Sequence, residues 1–85
     1  MVTGKVIIRD DLGIHLRPAG IIAEQSIRFK CKIELCCGGR CVNGKSLLSI
    51  LSLGVRKGYE VEVRCDGDDE EEALEKMLEV IETSF

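Results

Sequence analysis

The sequence predicts an α+β domain of two layers, with helices on one face of a mostly antiparallel sheet, in the order βαββαβα. Three observations point there. Apolar and polar residues alternate through 31–37 and again through 60–65, and Gly38-Gly39 separates the first run from Arg40-Cys41-Val42, the pattern of a two-residue hairpin. Leu74, Met77, Leu78 and Ile81 recur at helical spacing behind an acidic start. Finally, 85 residues with 45% hydrophobic and 32% charged side chains make one folded domain, 1–85. A core of that size hides about 60% of the unfolded surface and leaves no room for a large enclosed cofactor cleft.

Lys5 to Arg9 is β-rich and is stopped by Asp10-Asp11 and Gly13, so the first strand is expected there. A helix starts near His15, with Pro18 in its first turn, where a missing N–H costs least. Ala19, Ile22, Ala23 and Ile27 fit its period, and Phe29 closes the core beyond it. In the hairpin, Cys31, Ile33, Leu35 and Cys37 point one way, and Lys32, Glu34 and Cys36 the other. Ser46 opens a short helix that ends at Gly54, a residue suited to the left-handed position after a helix. Val61, Val63 and Cys65 face inward from the last strand. Asp68 or Asp69 caps the last helix, each with a glutamate three residues on, Glu71 or Glu72.

The net charge of −3 hides a division. Residues 1–65 carry eleven Lys/Arg against six Asp/Glu, a balance of +5, while 66–85 carry nine acids against one lysine. The acidic end would repel a duplex, so direct nucleic-acid binding is not expected, whereas a basic face meeting an acidic protein partner remains open. Val6-Ile7-Ile8 is too short for a signal-peptide core and no run reaches membrane length, so neither secretion nor a membrane partner is expected. Five cysteines with no C-x-x-C pair then read as free thiols in a reducing cytoplasm, and no metal or other cofactor is expected.

The only histidine lies in Gly13-Ile14-His15-Leu16-Arg17-Pro18-Ala19, at the start of the first helix. Free N–H groups and the positive end of the helix dipole make that position a seat for phosphate. Arg17 adds a guanidinium that pairs with phosphate oxygens. With a nucleophilic ring nitrogen, these groups compose a phosphoryl-accepting site. Ser46 reads either as a plain N-cap or as a phosphorylation site, since phosphate is tolerated at a helix N-terminus. Leu47, Leu48, Ile50, Leu51 and Leu53 exceed one buried stripe, so some face a partner.

The segment from Gly13 to Ala19 resembles the active-site signature of HPr, the histidine phosphocarrier of the bacterial sugar phosphotransferase system. Val42-Asn43-Gly44-Lys45-Ser46-Leu47-Leu48, continued by Ser52-Leu53-Gly54-Val55, resembles that family's regulatory serine segment. The resemblance covers essentially the whole chain. It implies an open-faced β-sandwich, four antiparallel strands in order 1-4-2-3 under three helices. It also implies that His15 accepts phosphoryl on Nδ1 from Enzyme I and passes it to sugar-specific IIA proteins, with Arg17 steadying the group. Ser46 then matches the target of HPr kinase/phosphorylase, whose product joins a catabolite-control transcription factor. Leu16, Gly20, Lys45, Leu47, Leu48 and Leu51 form the implied docking surface. Such a protein carries a covalent phosphohistidine and is not a turnover catalyst. A regulatory paralogue without a role in sugar transport is the alternative. Glu24 and Ile27 depart from the family pattern, standing where many relatives carry lysines, and Cys36, Cys37 and Cys41 crowd a hairpin that is usually cysteine-free.

The hairpin thiols admit two readings. A two-residue turn sets Cys36 directly across from Cys41, a non-hydrogen-bonded pair with Cα atoms about 4.5 Å apart. That lies at the short end of the disulfide range, about 4.4–6.8 Å. On the face away from the helices, both would be open to oxidant. They are either two reduced residues with no role or a pair that closes reversibly.

Overall fold

The computed structural model describes residues 1–83 and has the expected element order: β1 (Val2–Ile7), α1 (Leu16–Ile27), β2 (Lys32–Cys37), β3 (Arg40–Asn43), α2 (Leu47–Ser52), β4 (Glu60–Asp66) and α3 (Glu70–Thr83). The four strands form one antiparallel sheet in the order β1-β4-β2-β3. Ile33, Leu35, Val61, Val63 and Cys65 are buried on its helix side, where Ile22 of α1, Ile50 of α2 and Met77 of α3 meet them. Alternation along β2 and β4 puts every second side chain under the helices and leaves the other sheet face uncovered by them.

Several expectations need correction. β1 begins at Val2, well before Lys5, because Val2 to Ile7 pair residue for residue with Cys65 to Glu60. Glycine at position 4 had masked that start. Ile27 lies outside the α1 core and is 63% exposed, while Ser26 is fully buried, its hydroxyl donating to Met77 Sδ at 3.5 Å. The helical period decides this: seven residues from Ala19 return to the buried face, and eight overshoot it by about 80°.

Cys36 and Cys41 are joined rather than free, leaving Cys31, Cys37 and Cys65 as thiols. The Cys31 thiol is pushed up to about 12, by burial first and then by the Asp69 carboxylate.

The start of α3 also differs from expectation. Glu70, rather than Glu71 or Glu72, reaches back, accepting from Gly67 N–H at 3.1 Å. The Asp69 carboxylate leaves its own helix to accept from Lys30 N–H at 2.8 Å and Cys31 N–H at 2.9 Å, tying the α1–β2 connection to α3.

These bonds, that from Lys30 foremost, hold the Asp69 carboxyl below its ordinary value. A carboxyl whose pKa is lowered by folding contributes stability above its unfolded value, about 4, and loses it as pH falls through the folded value. Asp69→Asn offers a donor to one of the two N–H groups, so its melting temperature should lie below wild type at neutral pH. The difference should shrink steadily below about pH 4. Thermal melts of both proteins across that range check the sign, and a gap that widens on acidification would refute the assignment.

Candidate functional site

The site begins where β1 ends. Asp10 folds the following loop on itself: its Oδ1 accepts from Leu12 N–H at 2.7 Å and its carbonyl from Gly13 N–H at 2.9 Å. This is the local turn a short acidic side chain favours. Gly13 takes φ +67° against the backbone of Val55 and Arg56, and Ile14 N–H then donates to Val55 carbonyl at 3.1 Å. Ile14 is buried, which fixes the next residue at the rim of the core.

That residue is His15, the N-cap of α1. Its backbone is extended (φ −99°, ψ −170°), and its side chain makes no capping bond, leaving the ring uncommitted to the helix. Its Nε2 faces Asp10, 3.8 Å from Oδ2, with the imidazole 34% exposed. Among the described residues, the ring's other nitrogen, Nδ1, is the one without a facing carboxylate. Ala19 N–H is the first bonded to the cap, donating to His15 carbonyl at 3.0 Å. Upstream of it Pro18 has no N–H, so among the described residues the N–H groups of Leu16 and Arg17 are the free donors at this helix end. Arg17 is exposed and, among the described residues, takes part in no ion pair. The start of α1 thus carries a partly exposed imidazole, two backbone N–H donors and, two residues on from the histidine, an exposed guanidinium, groups of the kind that hold a phosphoryl group.

Ser46 caps α2, its Oγ accepting from Ser49 N–H at 3.2 Å. Of the residues expected to meet partners, Leu16 and Leu48 are 65% and 78% exposed. Leu47 and Leu51 are partly buried and pack against the core. Gly20 is half-buried, with open space where a side chain would stand. Lys45 is turned inward: its Nζ donates to Phe29 carbonyl at 2.7 Å, so its charge already serves the end of α1.

Sequence reasoning read Asp10 and Asp11 only as a strand stop. Asp10 instead shapes the loop and faces His15, and Asp11 pairs with Lys57 at 2.7 Å, beside the Val55–Arg56 segment that supports Gly13. The signal available was an Asp three residues before a Gly, a turn pattern whose long-range partner at 55–57 no local window contains.

A family described as "PTS HPr component phosphorylation site" matches residues 2–83. The chain belongs to the HPr family. It is 38% identical to the phosphocarrier protein HPr of Mycoplasma pneumoniae, over 92% of this chain and 90% of that protein. It is equally identical, 38%, to the HPr-like protein Crh of Bacillus subtilis, over 96% of each chain. The crystal structure of HPr-C-His from Thermoanaerobacter tengcongensis superposes with a TM-score of 0.93 at 35% identity, over 100% of this chain and 96% of that one. HPr proteins are phosphocarriers, handing on a group rather than turning over a substrate. The open-faced sandwich with strand order β1-β4-β2-β3 is the HPr fold.

Proposed function

We propose that this chain is a phosphocarrier for sugar uptake that works through His15. The Nδ1 lone pair attacks the phosphorus of a phosphohistidine on Enzyme I. The Enzyme I nitrogen–phosphorus bond breaks as the new one forms. A histidine on a IIA protein then takes the phosphoryl group in the same way, restoring His15. The observation that carries this reading is the uncommitted N-cap histidine, with Nε2 toward Asp10 and Arg17 two residues along a helix whose first donors are free. Arg17 follows the equatorial oxygens during both transfers. Leu16 and Leu48 supply the apolar contact, with Gly20, Leu47 and Leu51 at its margin. A cytoplasmic location belongs to the same reading, and no helix among the described residues is long and apolar enough to cross a membrane. Incubation with purified Enzyme I and phosphoenolpyruvate tests it. Acid-labile phosphate on the chain that moves on to a IIA protein is expected, and none would refute the reading.

Ser46 is the regulatory position in this reading, modified by HPr kinase/phosphorylase and recognised by a catabolite-control transcription factor. Ser46→Asp keeps a capping oxygen near Ser49 N–H and puts a negative charge at the favourable end of α2, so stability should change by less than about 1 kcal/mol. The same charge borders the exposed Leu48 and opposes an acidic Enzyme I surface. Phosphorylation at low salt and subsaturating Enzyme I should fall roughly tenfold. Equal rates for the two proteins would dissociate Ser46 from docking.

Equal identity to Crh supports a second reading, a regulatory paralogue whose phosphorylation state is read by other proteins. His15 and Arg17 favour the carrier. Delivery of phosphate from His15 to a IIA protein separates the two.

A further inference from the structure

We propose that Cys36 and Cys41 form a reversible thiol–disulfide site that sets how firmly the sheet edge and the end of α2 are held. The two residues stand opposite each other in the β2–β3 register, next to the Gly38-Gly39 turn, with Cα atoms 4.0 Å apart and a bond between their sulfurs. Their pairing is specific. Cys37 is opposite Arg40 and packs toward the core side, while Cys31 and Cys65 are buried. Only Cys36 and Cys41 share the sheet face that no helix covers. Contrary to expectation they are not equally open: Cys36 is 7% exposed, because β2 lies inside the sheet with Glu62 on one side and Cys41 on the other, whereas Cys41 on the edge strand is exposed.

This asymmetry gives the chemistry a direction. On oxidation by peroxide, each thiol gives up a proton and together they yield two electrons. The sulfur–sulfur bond forms and the peroxide becomes two waters. In reduction, a small-molecule thiolate attacks the accessible Cys41 Sγ and Cys36 leaves as a thiolate, which takes up a proton. A second thiolate then attacks the small-molecule sulfur of the mixed disulfide, releasing an oxidised small molecule and freeing Cys41.

The consequence follows from what β3 holds. It is a four-residue strand paired on one side only, to β2. Arg40 at its start donates from Nη1 to Ser52 carbonyl at 3.1 Å, bonding the hairpin to the last residue of α2. At its other end Gly44 N–H donates to Ile33 carbonyl at 2.8 Å, immediately before Lys45 and Ser46. The bridge thus adds a covalent tie to the β2–β3 ladder and these two bonds, on a short edge strand that leads into α2.

The test compares the full chain treated with hydrogen peroxide against the same chain in dithiothreitol. Peptide mapping should find Cys36 linked to Cys41, with Cys65 unmodified. The oxidised form should melt about 5 °C or more above the reduced one. Amides of Val42, Asn43 and Gly54 should exchange about threefold or more slowly when oxidised. Cys36→Ser and Cys41→Ser should each abolish these differences, and Cys37→Ser should retain them. Linkage of Cys36 or Cys41 to any other cysteine overturns the site. Equal melting and exchange in the two states of the wild-type chain overturn its effect on β3 and α2.

Discussion

His15→Ala is expected to eliminate acid-labile phosphate from the chain after incubation with Enzyme I and phosphoenolpyruvate. No other histidine exists to take its place. The fold should survive, because the His15 side chain makes no cap bond to α1 and its loss should cost no more than about 1 kcal/mol. Arg17→Ala should be milder. The N–H groups of Leu16 and Arg17 remain with the backbone, so removing one charge-assisted contact should slow transfer roughly tenfold or more without abolishing it. Wild-type phosphate on the alanine variant at position 15 would refute phosphotransfer through this residue, and no change for Arg17→Ala would reduce that guanidinium to a bystander.

The parts of the molecule legible in the sequence are those governed by local periods. Val61, Val63 and Cys65 alternate into the core as expected, Gly38 and Gly39 take positive φ in a two-residue turn, and Ser46 caps α2. His15 also falls at the helix start that Pro18 signals. The misreadings share a different cause, since each was decided by a partner distant in sequence. β4 draws β1 out to Val2. Met77 accepts a bond from a serine where an apolar residue was expected, so Ser26 is buried and Ile27 is left outside. Lys30 and Cys31 take the carboxylate of Asp69, and the cap at Gly67 passes to Glu70. Around the candidate site the same holds: the placement of His15 and Arg17 at a helix start was readable from the sequence, but the roles of Asp10, Val55 and Lys57 were not. They matter only because the 55–58 segment folds back beside the end of β1, where Gly58 N–H donates to Ile8 carbonyl at 2.7 Å.

That fold-back gives the largest stability effect. Gly13→Ala should destabilise the chain by about 3 kcal/mol or more, lowering the melting temperature by roughly 15 °C. The residue is buried at φ +67°, which an L side chain adopts at a cost, and a Cβ there would stand 2.1 Å from Val55 carbonyl oxygen and 2.8 Å from Arg56 Cα. Both obstacles are backbone, so no rotamer change relieves them; the strand of chain at 55–56 must retreat. Its retreat lengthens the Ile14 N–H to Val55 carbonyl bond that seats the residue before His15. Phosphoryl acceptance should therefore fall even at temperatures where the variant is fully folded, yet persist, because the ring and Arg17 are intact. Gly20→Ala provides the contrast. It lies inside α1 with nothing within 4 Å of a new Cβ, and its φ is not positive, so this variant should gain about 0.5–1 kcal/mol from helix propensity. Thermal melts of both variants beside a transfer assay below their transitions check the pair. A Gly13→Ala protein that melts with wild type would show that the 55–56 backbone does not brace the loop carrying His15.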